Sequence, residues 1–377
     1  MAEPAETRSS ANRLSWAAMS AAEPSPSLHA ETAPTGVGPV PVGTITLELT
    51  HRCHRRCAFC YVPGLSRPQS TQQYELTSDE LAQGATTLIR ATGCKRIQLS
   101  GGEPLLRPDL LTIIERLQAT DAKVSIITDG AQLDEPLARD LVALGVGTVQ
   151  PTLLSGNAEI HNSLRGAGAF GEATRAIATG AAAGLEIIVC MVITKLNWRE
   201  AERVAELSFA LGARGLALSR FCPAAAAGDA YAALMPTADQ VRTAAVAAAT
   251  TCHSLKLPLA TAVTIPPCVW DHPEKPPLRV GVCSLVGPRT TVTVGPNGTL
   301  RSCSLSTETV GSILTEPWEL LARRLWDQQL APARAATIEA CRSCAQLPRC
   351  LGGCRLSAKT VFGSLNHPDP LAPVALG

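Results

Sequence analysis

The chain has 377 residues, of which 46% are hydrophobic and 17% charged, a composition typical of a soluble globular protein with two or so domains. Its formal net charge of +1 gives no electrostatic case for binding nucleic acid or an anionic membrane. No apolar run is long enough to predict a membrane span, and the N-terminal residues lack the basic stretch followed by an apolar one that is typical of an export signal. We therefore expect a cytoplasmic protein whose 14 cysteines are reduced thiols and metal ligands rather than disulfides.

The first two thirds of the chain predict an α/β fold. Residues 1–40 are rich in Ala, Pro, Ser and Glu and predict a disordered extension. Strand-like and helix-like runs then alternate through residues 41–236, which implies parallel strands with right-handed crossovers and suggests a partial (β/α)6 TIM-like barrel. The predicted strands are Thr44–Leu49, Arg96–Leu99, Lys123–Thr128, Thr148–Leu154, Glu186–Ile193 and Gly215–Arg220. Predicted helices between them include Asp79–Ala91, with a capped start at Thr77, Pro108–Thr120 and Trp198–Leu211.

The last third of the chain has a different pattern. Residues 237–262 form a linking segment that begins with a predicted helix, Thr237–Thr251. Residues 263–377 contain proline-rich loops, a predicted hairpin around Asn297 and Gly298, and most of the remaining cysteines. We expect a second, small and loop-rich domain that is organised by metal more than by a hydrophobic core.

Three cysteines, Cys53, Cys57 and Cys60, follow the first predicted strand with the spacing C-x3-C-x2-C. Cubane iron–sulfur clusters normally have a thiolate on each of four irons, so three thiolates leave one iron open to a small molecule. The loop lies at the carboxyl end of a strand, where barrel enzymes place their active sites. The alternative is a zinc site completed by His51 or His54.

This loop resembles that of the radical S-adenosylmethionine (SAM) superfamily, in which the open iron chelates the amino and carboxylate groups of SAM. The resemblance implies a [4Fe–4S] cluster with bound SAM and places Phe59 against the adenine. A second motif after the second strand is similar to the family's GGEP motif, which binds the SAM amino group; its residues here are Gly101, Gly102, Glu103 and Pro104. A simple glycine turn is the alternative for this motif.

Weaker matches to the family occur further along the predicted barrel. Thr128, Thr152 and Asn197 each fall at or after the end of a strand, where relatives carry polar residues near SAM. The resemblance makes them cofactor-binding candidates, with capping of the barrel as the alternative.

The C-terminal cysteines resemble those of SPASM domains, which hold two auxiliary [4Fe–4S] clusters. Cys283 and Cys303 bracket Gly298 as C-x14-G-x4-C, and C-x2-C-x5-C-x3-C follows. The resemblance assigns Cys268, Cys283, Cys303 and Cys354 to the first auxiliary cluster, and Cys341, Cys344 and Cys350 to the second. Two structural zinc sites are the alternative.

The second auxiliary cluster lacks its usual fourth thiol, because Ala372 stands at that place. Its fourth iron is open, or takes Asp369 or His367 as a ligand, or the cluster is degraded or absent. Cys222, at the end of the sixth strand, is a candidate catalytic thiol or hydrogen donor. Packing as a small hydrophobe is its alternative, and is what we expect of Cys94, Cys190 and Cys252.

The resemblance implies an oxidoreductase that reductively cleaves SAM to a 5′-deoxyadenosyl radical, which abstracts hydrogen from the substrate. A peptide or protein side chain is the broadest substrate class. Modification of a tetrapyrrole or haem side chain is the alternative, and a non-catalytic iron–sulfur electron carrier is a third. The partners expected are a peptide or small-molecule substrate, an electron donor such as flavodoxin or ferredoxin, and a separate peptide-recognition protein, since residues 1–40 are too short to form one.

Overall fold

The structure is a computed structural model that describes residues 40–62, 75–223, 230–270, 278 and 280–373. The predicted N-terminal extension lies outside the described residues except for Val40. Nine strands of the described part form one sheet in the order β7-β6-β5-β4-β3-β2-β1-β8-β9. The strands are β1 Val42–Glu48, β2 Arg96–Ser100, β3 Lys123–Thr128, β4 Thr148–Pro151, β5 Glu186–Ile193, β6 Gly215–Arg220, β7 Leu259–Thr261, β8 Thr290–Val294 and β9 Leu300–Arg301.

The helices connect consecutive strands of the first part of the chain and continue through the last part. They are α1 Ser78–Thr92, α2 Leu110–Gln118, α3 Glu135–Ala143, α4 Ala158–Arg165, α5 Ala169–Ala183, α6 Ala201–Ala210, α7 Ala230–Leu234, α8 Ala238–Leu255, α9 Pro267–Trp270, α10 Trp318–Leu325, α11 Ala331–Ala335, α12 Leu347–Cys350 and α13 Arg355–Phe362. None of the helices in the described ranges is long and apolar enough to cross a membrane.

The sheet is parallel from β7 through β1 to β8, and only β9 runs antiparallel to its neighbour. Crossover helices cover the sheet, so its strands are buried on both faces and read as nearly continuous apolar runs, as in EIIVCMVI of β5. The predicted α/β fold with a TIM-like arrangement of parallel strands is confirmed. It brings the carboxyl ends of all the parallel strands to one edge, where the cysteine loop after β1 also lies.

Local sequence sets the ends of most elements. Helix α1 begins at a capping box, in which Thr77 and Glu80 each accept a hydrogen bond from the other's backbone, as the sequence predicts. Strands β3, β5 and β6 have the predicted bounds. Strand β4 ends at Pro151 rather than at Leu154. Thr152 forms only an isolated bridge with Cys190 of β5, to whose carbonyl Leu153 N–H donates (3.0 Å), and the N–H of Leu154 donates to Nδ1 of buried His161 (3.2 Å) instead of to a strand.

The hairpin predicted at Asn297-Gly298 is present between β8 and β9. Gly298 has a φ of 83°, and its N–H donates to the carbonyl of Gly295 (2.9 Å). The hairpin extends the sheet directly beside β1, and a buried ion pair between Glu48 and Arg301 links β1 to β9. Strands β8 and β9 thus share a sheet with the barrel strands, and the division of residues 263–377 from residues 41–236 into separate domains stays a prediction.

Candidate functional site

A cavity of about 340 Å³ lies at the carboxyl ends of β1 to β4. The cysteine loop after β1, the GGEP turn after β2, the end of β3 and helix α4 all contribute to its wall. The predicted site residues that line it are Cys53, Cys57, Phe59, Cys60, Gly101, Gly102, Glu103, Thr128 and Thr152. The fold therefore brings most of the predicted SAM site together, from segments that are far apart in sequence.

The cysteine loop and the GGEP turn pack backbone against backbone. The N–H of Gly102 donates to the carbonyl of Thr50 (2.7 Å), and that of Glu103 to the carbonyl of Arg52 (2.9 Å). A Cβ on Gly101 would lie 2.5 Å from the oxygen of Thr50, and one on Gly102 would lie 2.3 Å from that of Arg52. Both glycines are needed for this close approach, so the turn supports the loop that carries the three thiols.

The thiols of Cys53, Cys57 and Cys60 are half-buried and face the cavity. Burial is the main cause that raises their pKa values, to about 12 for Cys53 and about 11 for Cys60, while Arg165 acts to lower that of Cys57. Protonated thiols are poor ligands, so the positive charge of a bound metal must draw off these protons. Three soft thiolates around one open space fit a [4Fe–4S] cluster with one iron left free.

A site for one metal ion would need a tighter group of ligands. Among the residues that the structure describes, no three His, Cys, Asp or Glu side chains converge closely enough to hold a single ion. The zinc alternatives, both at the cysteine loop and among the C-terminal cysteines, therefore gain no support from the geometry.

Glu103 is almost completely buried at the cavity wall, with 1% of its surface exposed. Its Oε1 accepts hydrogen bonds from Thr128 Oγ1 (2.7 Å) and from the N–H of Leu105 (3.0 Å), and its Oε2 accepts one from the N–H of Asp129 (2.7 Å). Burial, followed by the negative charge of Asp129, raises the pKa of Glu103 to about 8 despite these hydrogen bonds. A cation bound in the cavity would relieve this cost and restore the carboxylate.

Asp129 ties the cysteine loop to the end of β3, a role that the sequence did not reveal. Its Oδ2 pairs with His54 Nε2 (2.9 Å) and with Arg55 Nε (3.2 Å), both from the loop between the cysteines. Arg55 also pairs with Glu172 of α5. The only signal in the sequence was the Thr-Asp-Gly run that ends β3, and it indicated Thr128 rather than the aspartate beside it.

Arg165, the last residue of α4, is a second site residue that the sequence did not single out. It lines the cavity with 5% of its surface exposed, and its NH1 donates to the carbonyl of Thr152 (3.2 Å). Its Nε has no hydrogen-bond partner among the described residues. A buried cation with an unsatisfied donor fits an anionic ligand group such as a carboxylate. Its position in the sequence alone did not show that the arginine turns into the cavity.

The other predicted cofactor-binding residues have different positions. Pro104 begins a short 3-10 turn in which the side chain of Glu103 caps the N–H of Leu105, and it is outside the lining of the cavity. Asn197 is buried, accepts hydrogen bonds from Thr194, and donates to the carbonyls of Leu154 and Val192. Its polar groups thus hold the ends of β4 and β5, and its contact with a cofactor stays a prediction.

Cys222 follows β6 and lies outside the lining of the cavity. Its thiol is buried, as is that of Cys283, and both interact with the thiol of Cys354. This interaction holds the pKa of Cys354 well below its ordinary value and, together with burial, raises the pKa values of Cys222 and Cys283. Burial, and also the nearby Cys354, raise the pKa of Cys303 to about 11. Cys222 thus lies among the C-terminal cysteines. The catalytic role considered for it stays a prediction.

The two candidates for a fourth ligand of the second auxiliary cluster are both engaged elsewhere. Asp369 is fully buried, pairs with Arg220, and accepts hydrogen bonds from the N–H groups of Cys354 (2.7 Å) and Leu371 (3.0 Å). The exposed His367 stacks on Phe362, with ring centroids 4.8 Å apart. Ala372 is buried, and its N–H donates to the carbonyl of Asp369 (2.8 Å), which closes a tight turn.

Comparison with known proteins agrees with this geometry. Residues 47–208 match the model of the radical SAM superfamily. A PqqA peptide cyclase of Streptomyces rochei is 30% identical over 341 residues, which cover 88% of each chain. A mycofactocin maturase, MftC, of Mycobacterium tuberculosis is 32% identical over 200 residues, or 52% of this chain and 49% of that one. The crystal structure of Streptococcus suis SuiB bound to its precursor peptide SuiA superposes with a TM-score of 0.70 at 12% identity, covering 89% of this chain and 77% of SuiB, and this likeness shows the fold.

Proposed function

We propose, because the chain belongs to the radical SAM superfamily, that it cleaves SAM reductively and uses the resulting radical to modify a side chain of a peptide. The observation that carries this proposal is the cavity at the ends of β1 to β4. It combines three thiols, a buried carboxylic acid and a buried arginine with a free donor.

The three thiols of Cys53, Cys57 and Cys60 are the residues that would hold the cluster. When bound, a [4Fe–4S] cluster supplies the electron that breaks the S–C5′ bond of SAM and yields methionine and a 5′-deoxyadenosyl radical. The chain holds the loop in place through the backbone bonds to the GGEP turn and through Asp129, which pairs with the loop residues His54 and Arg55.

Glu103 and Arg165 match the two charged groups of the methionine part of SAM. The carboxyl of Glu103 would accept hydrogen bonds from the amino group, and since an ionised carboxylate is the better acceptor, binding favours loss of the Glu103 proton. The free Nε of Arg165 would meet the carboxylate with a charge-assisted hydrogen bond. An acceptor and a donor on the cavity wall therefore orient the methionine part of SAM in one direction.

The rest of the cavity wall is partly apolar. Phe59 lines the cavity and packs against a buried group that includes Leu154, Leu164 and Phe221. Such a wall suits an adenine ring and limits the access of water to a reactive radical.

A peptide is the substrate that the comparisons favour. The printed names of the relatives describe a peptide cyclase and a maturase, and SuiB was solved with a precursor peptide. We extend this substrate class to the present chain and prefer it to a tetrapyrrole. The proposal includes two auxiliary [4Fe–4S] clusters in the C-terminal part, an electron donor such as flavodoxin or ferredoxin, and a separate protein that recognises the peptide.

The first test is SAM cleavage by anaerobically reconstituted protein with dithionite, read as 5′-deoxyadenosine by liquid chromatography and mass spectrometry. Wild type should form this product, and a Cys53→Ala/Cys57→Ala/Cys60→Ala variant should not. Cys252→Ala is the matched control, because Cys252 is buried in α8, and burial alone raises its pKa. Equal product from the triple variant and the wild type would contradict the proposal.

The second test addresses the peptide. Short peptides encoded beside the gene are incubated with the reduced enzyme and SAM, and each is examined for a change of mass. Deuterium moved from a labelled peptide into 5′-deoxyadenosine would identify the carbon that is attacked. SAM cleavage that no peptide stimulates or quenches, together with a mass change in a tetrapyrrole, would replace the proposed substrate class.

A further inference from the structure

The C-terminal cysteines of the described structure gather in two groups, and these differ from the groups that the family resemblance implies. The first group surrounds Cys354: Cys222, Cys283 and Cys354 are all buried, and the thiols of Cys222, Cys283 and Cys303 are each close enough to interact with that of Cys354. The second contains Cys341, Cys344 and Cys350, and Cys268 lies with them.

Cys222 is held beside Cys354 by a buried ionic connection. Two residues before it, Arg220 ends β6 and is fully buried, with its Nε bonded to the carbonyl of Thr264 (3.1 Å). The Arg220 guanidinium pairs with Asp369, whose Oδ2 accepts the N–H of Cys354 (2.7 Å). Phe221 is also buried and donates its N–H to Ile193 of β5 (2.8 Å). The barrel wall therefore fixes the Cys222 thiol against the segment that carries Cys354.

Cys268 lies near the second group of thiols. It lies in the short helix α9, which is anchored by its buried neighbours Val269 and Trp270 and by a bond from Arg242 Nε to the Val269 carbonyl (2.9 Å). Cys268 is exposed, and Cys341 and Cys344 are thiols near enough to interact with it. Cys350 is likewise near Cys268.

We propose that Cys222 replaces Cys268 in the first auxiliary cluster, giving Cys222, Cys283, Cys303 and Cys354, and that Cys268 completes the second, giving Cys268, Cys341, Cys344 and Cys350. Eight thiols then supply two cubanes with four ligands each. Ala372 is compatible with this count, because the thiol absent there is supplied by Cys268. Neither Asp369 nor His367 is needed as a ligand.

This inference rests on the auxiliary clusters of the proposed function, but not on SAM cleavage. Its test therefore uses full-length protein in which Cys53, Cys57 and Cys60 are all alanine, so that only auxiliary iron remains. Anaerobic reconstitution should leave about eight irons per chain, four for each cubane. Iron near zero in this background would overturn the inference, while SAM cleavage by the wild type would still report on the proposed function.

The assignment itself is tested by removing one predicted set at a time. With Cys341, Cys344 and Cys350 also replaced by alanine, about four irons should remain. In that protein Cys222→Ala should lower the iron content or change the electron paramagnetic resonance signal of the reduced cluster, and Cys268→Ala should change neither. With Cys283, Cys303 and Cys354 replaced instead, Cys268→Ala should be the harmful variant and Cys222→Ala the silent one. The opposite pattern in both proteins would overturn the proposal.

Single serine variants of the otherwise unchanged chain serve if the multiple variants do not fold. A serine oxygen can ligate iron but alters its signal, so Cys222→Ser and Cys268→Ser should each shift the Mössbauer and resonance spectra of a different auxiliary cluster. Cys252→Ser is the control, because Cys252 is buried in α8 away from both groups. Spectra of Cys222→Ser that match those of the control would show that Cys222 only packs beside the cluster.

Discussion

Glu103 is a carboxylic acid that the fold buries almost completely, and its protonation decides how well it can bind a cation. With a pKa of about 8, it is largely neutral at pH 7 in the free protein. An amino group that donates hydrogen bonds to Glu103 favours the ionised form, so ligand binding releases a proton. We expect the affinity for SAM to increase as the pH rises toward 8, by up to about tenfold per pH unit for one released proton, and then to level off.

The Glu103→Gln variant should bind SAM about 10 to 100 times more weakly, since a charge-assisted hydrogen bond contributes about 1.5–3 kcal/mol. Its affinity should also lose the increase with pH, because no carboxyl remains to ionise. Anaerobic equilibrium dialysis across pH 6 to 9, with iron content measured on the same samples, checks both expectations. A variant that lost iron but bound SAM normally would show that Glu103 acts only in folding.

A substitution of Asp129 gives a second, independent check on the pKa of Glu103. Its negative charge is one of the causes that raise the pKa of Glu103, after burial. Asp129→Asn should therefore move the midpoint of the pH-dependent SAM affinity to lower pH, and it should leave Glu103 able to bind. An unchanged midpoint would mean that burial alone sets the pKa. Since Asp129 also pairs with His54 and Arg55, iron content must be measured beside the affinity.

Among single residues, the sequence was sufficient to predict a site residue where a characteristic residue type stands in a characteristic spacing. The cysteine loop and Glu103 were predicted because their motifs are local and specific. Arg165 and Asp129 were not predicted, because their roles depend on which neighbours the fold places opposite them: the carbonyl of Thr152 for the arginine, and the loop cations for the aspartate. Such contacts join distant segments, and no local pattern records them.

At the scale of elements, the GGEP turn supports the cysteine loop as well as carrying Glu103. A Cβ on Gly102 would lie 2.3 Å from the backbone oxygen of Arg52, where no side chain can rotate away. Gly102→Ala should therefore destabilise the protein by about 1–3 kcal/mol, the usual cost of overpacking, and reduce the iron bound by the loop. Urea unfolding and iron analysis of the reconstituted protein measure these effects.

Gly171→Ala is the matched control for this substitution. Gly171 lies within helix α5, and a Cβ there would meet no atom within 4 Å. An alanine should stabilise that helix by about 0.5–1 kcal/mol and leave the iron content unchanged. Equal unfolding midpoints for the two variants would show that the turn can move aside.

Element bounds followed the sequence most closely where strands are long and apolar. Strands β3, β5 and β6 were predicted to the residue. Strand β4 is shorter than predicted: after Pro151 the pairing with β5 is reduced to Cys190, and Leu154 bonds to His161 rather than to a neighbouring strand. The placement of β8 beside β1 could not be predicted, since parallel pairing between residues far apart in sequence leaves no local signal.

On the scale of the whole molecule, the grouping of the cysteines predicts how the chain responds to a new thiol. If Cys268 completes the second auxiliary cluster, Ala372→Cys should leave about twelve irons per chain, the number for three cubanes, and the auxiliary spectra unchanged. A gain of iron in Ala372→Cys, from about eight in the wild type, would instead mean that the second cluster lacks a ligand and does not assemble without it.

The buried pair of Arg220 and Asp369 joins β6 of the barrel to the C-terminal segment, and both side chains are fully buried. Removing one partner leaves an uncompensated charge, so Arg220→Met should cost about 3–5 kcal/mol of unfolding free energy. In Arg220→Met/Asp369→Asn no charge is left unpaired, and the amide oxygen can still accept the N–H of Cys354. The double variant should therefore be more stable than Arg220→Met.

Anaerobic urea unfolding of the wild type, the two single variants and the double variant measures this coupling. The control is Arg139→Met, which breaks an exposed pair with Glu135 and should cost well under 1 kcal/mol of unfolding free energy. Additive effects in the cycle would show that this buried pair does not hold the two parts of the molecule together.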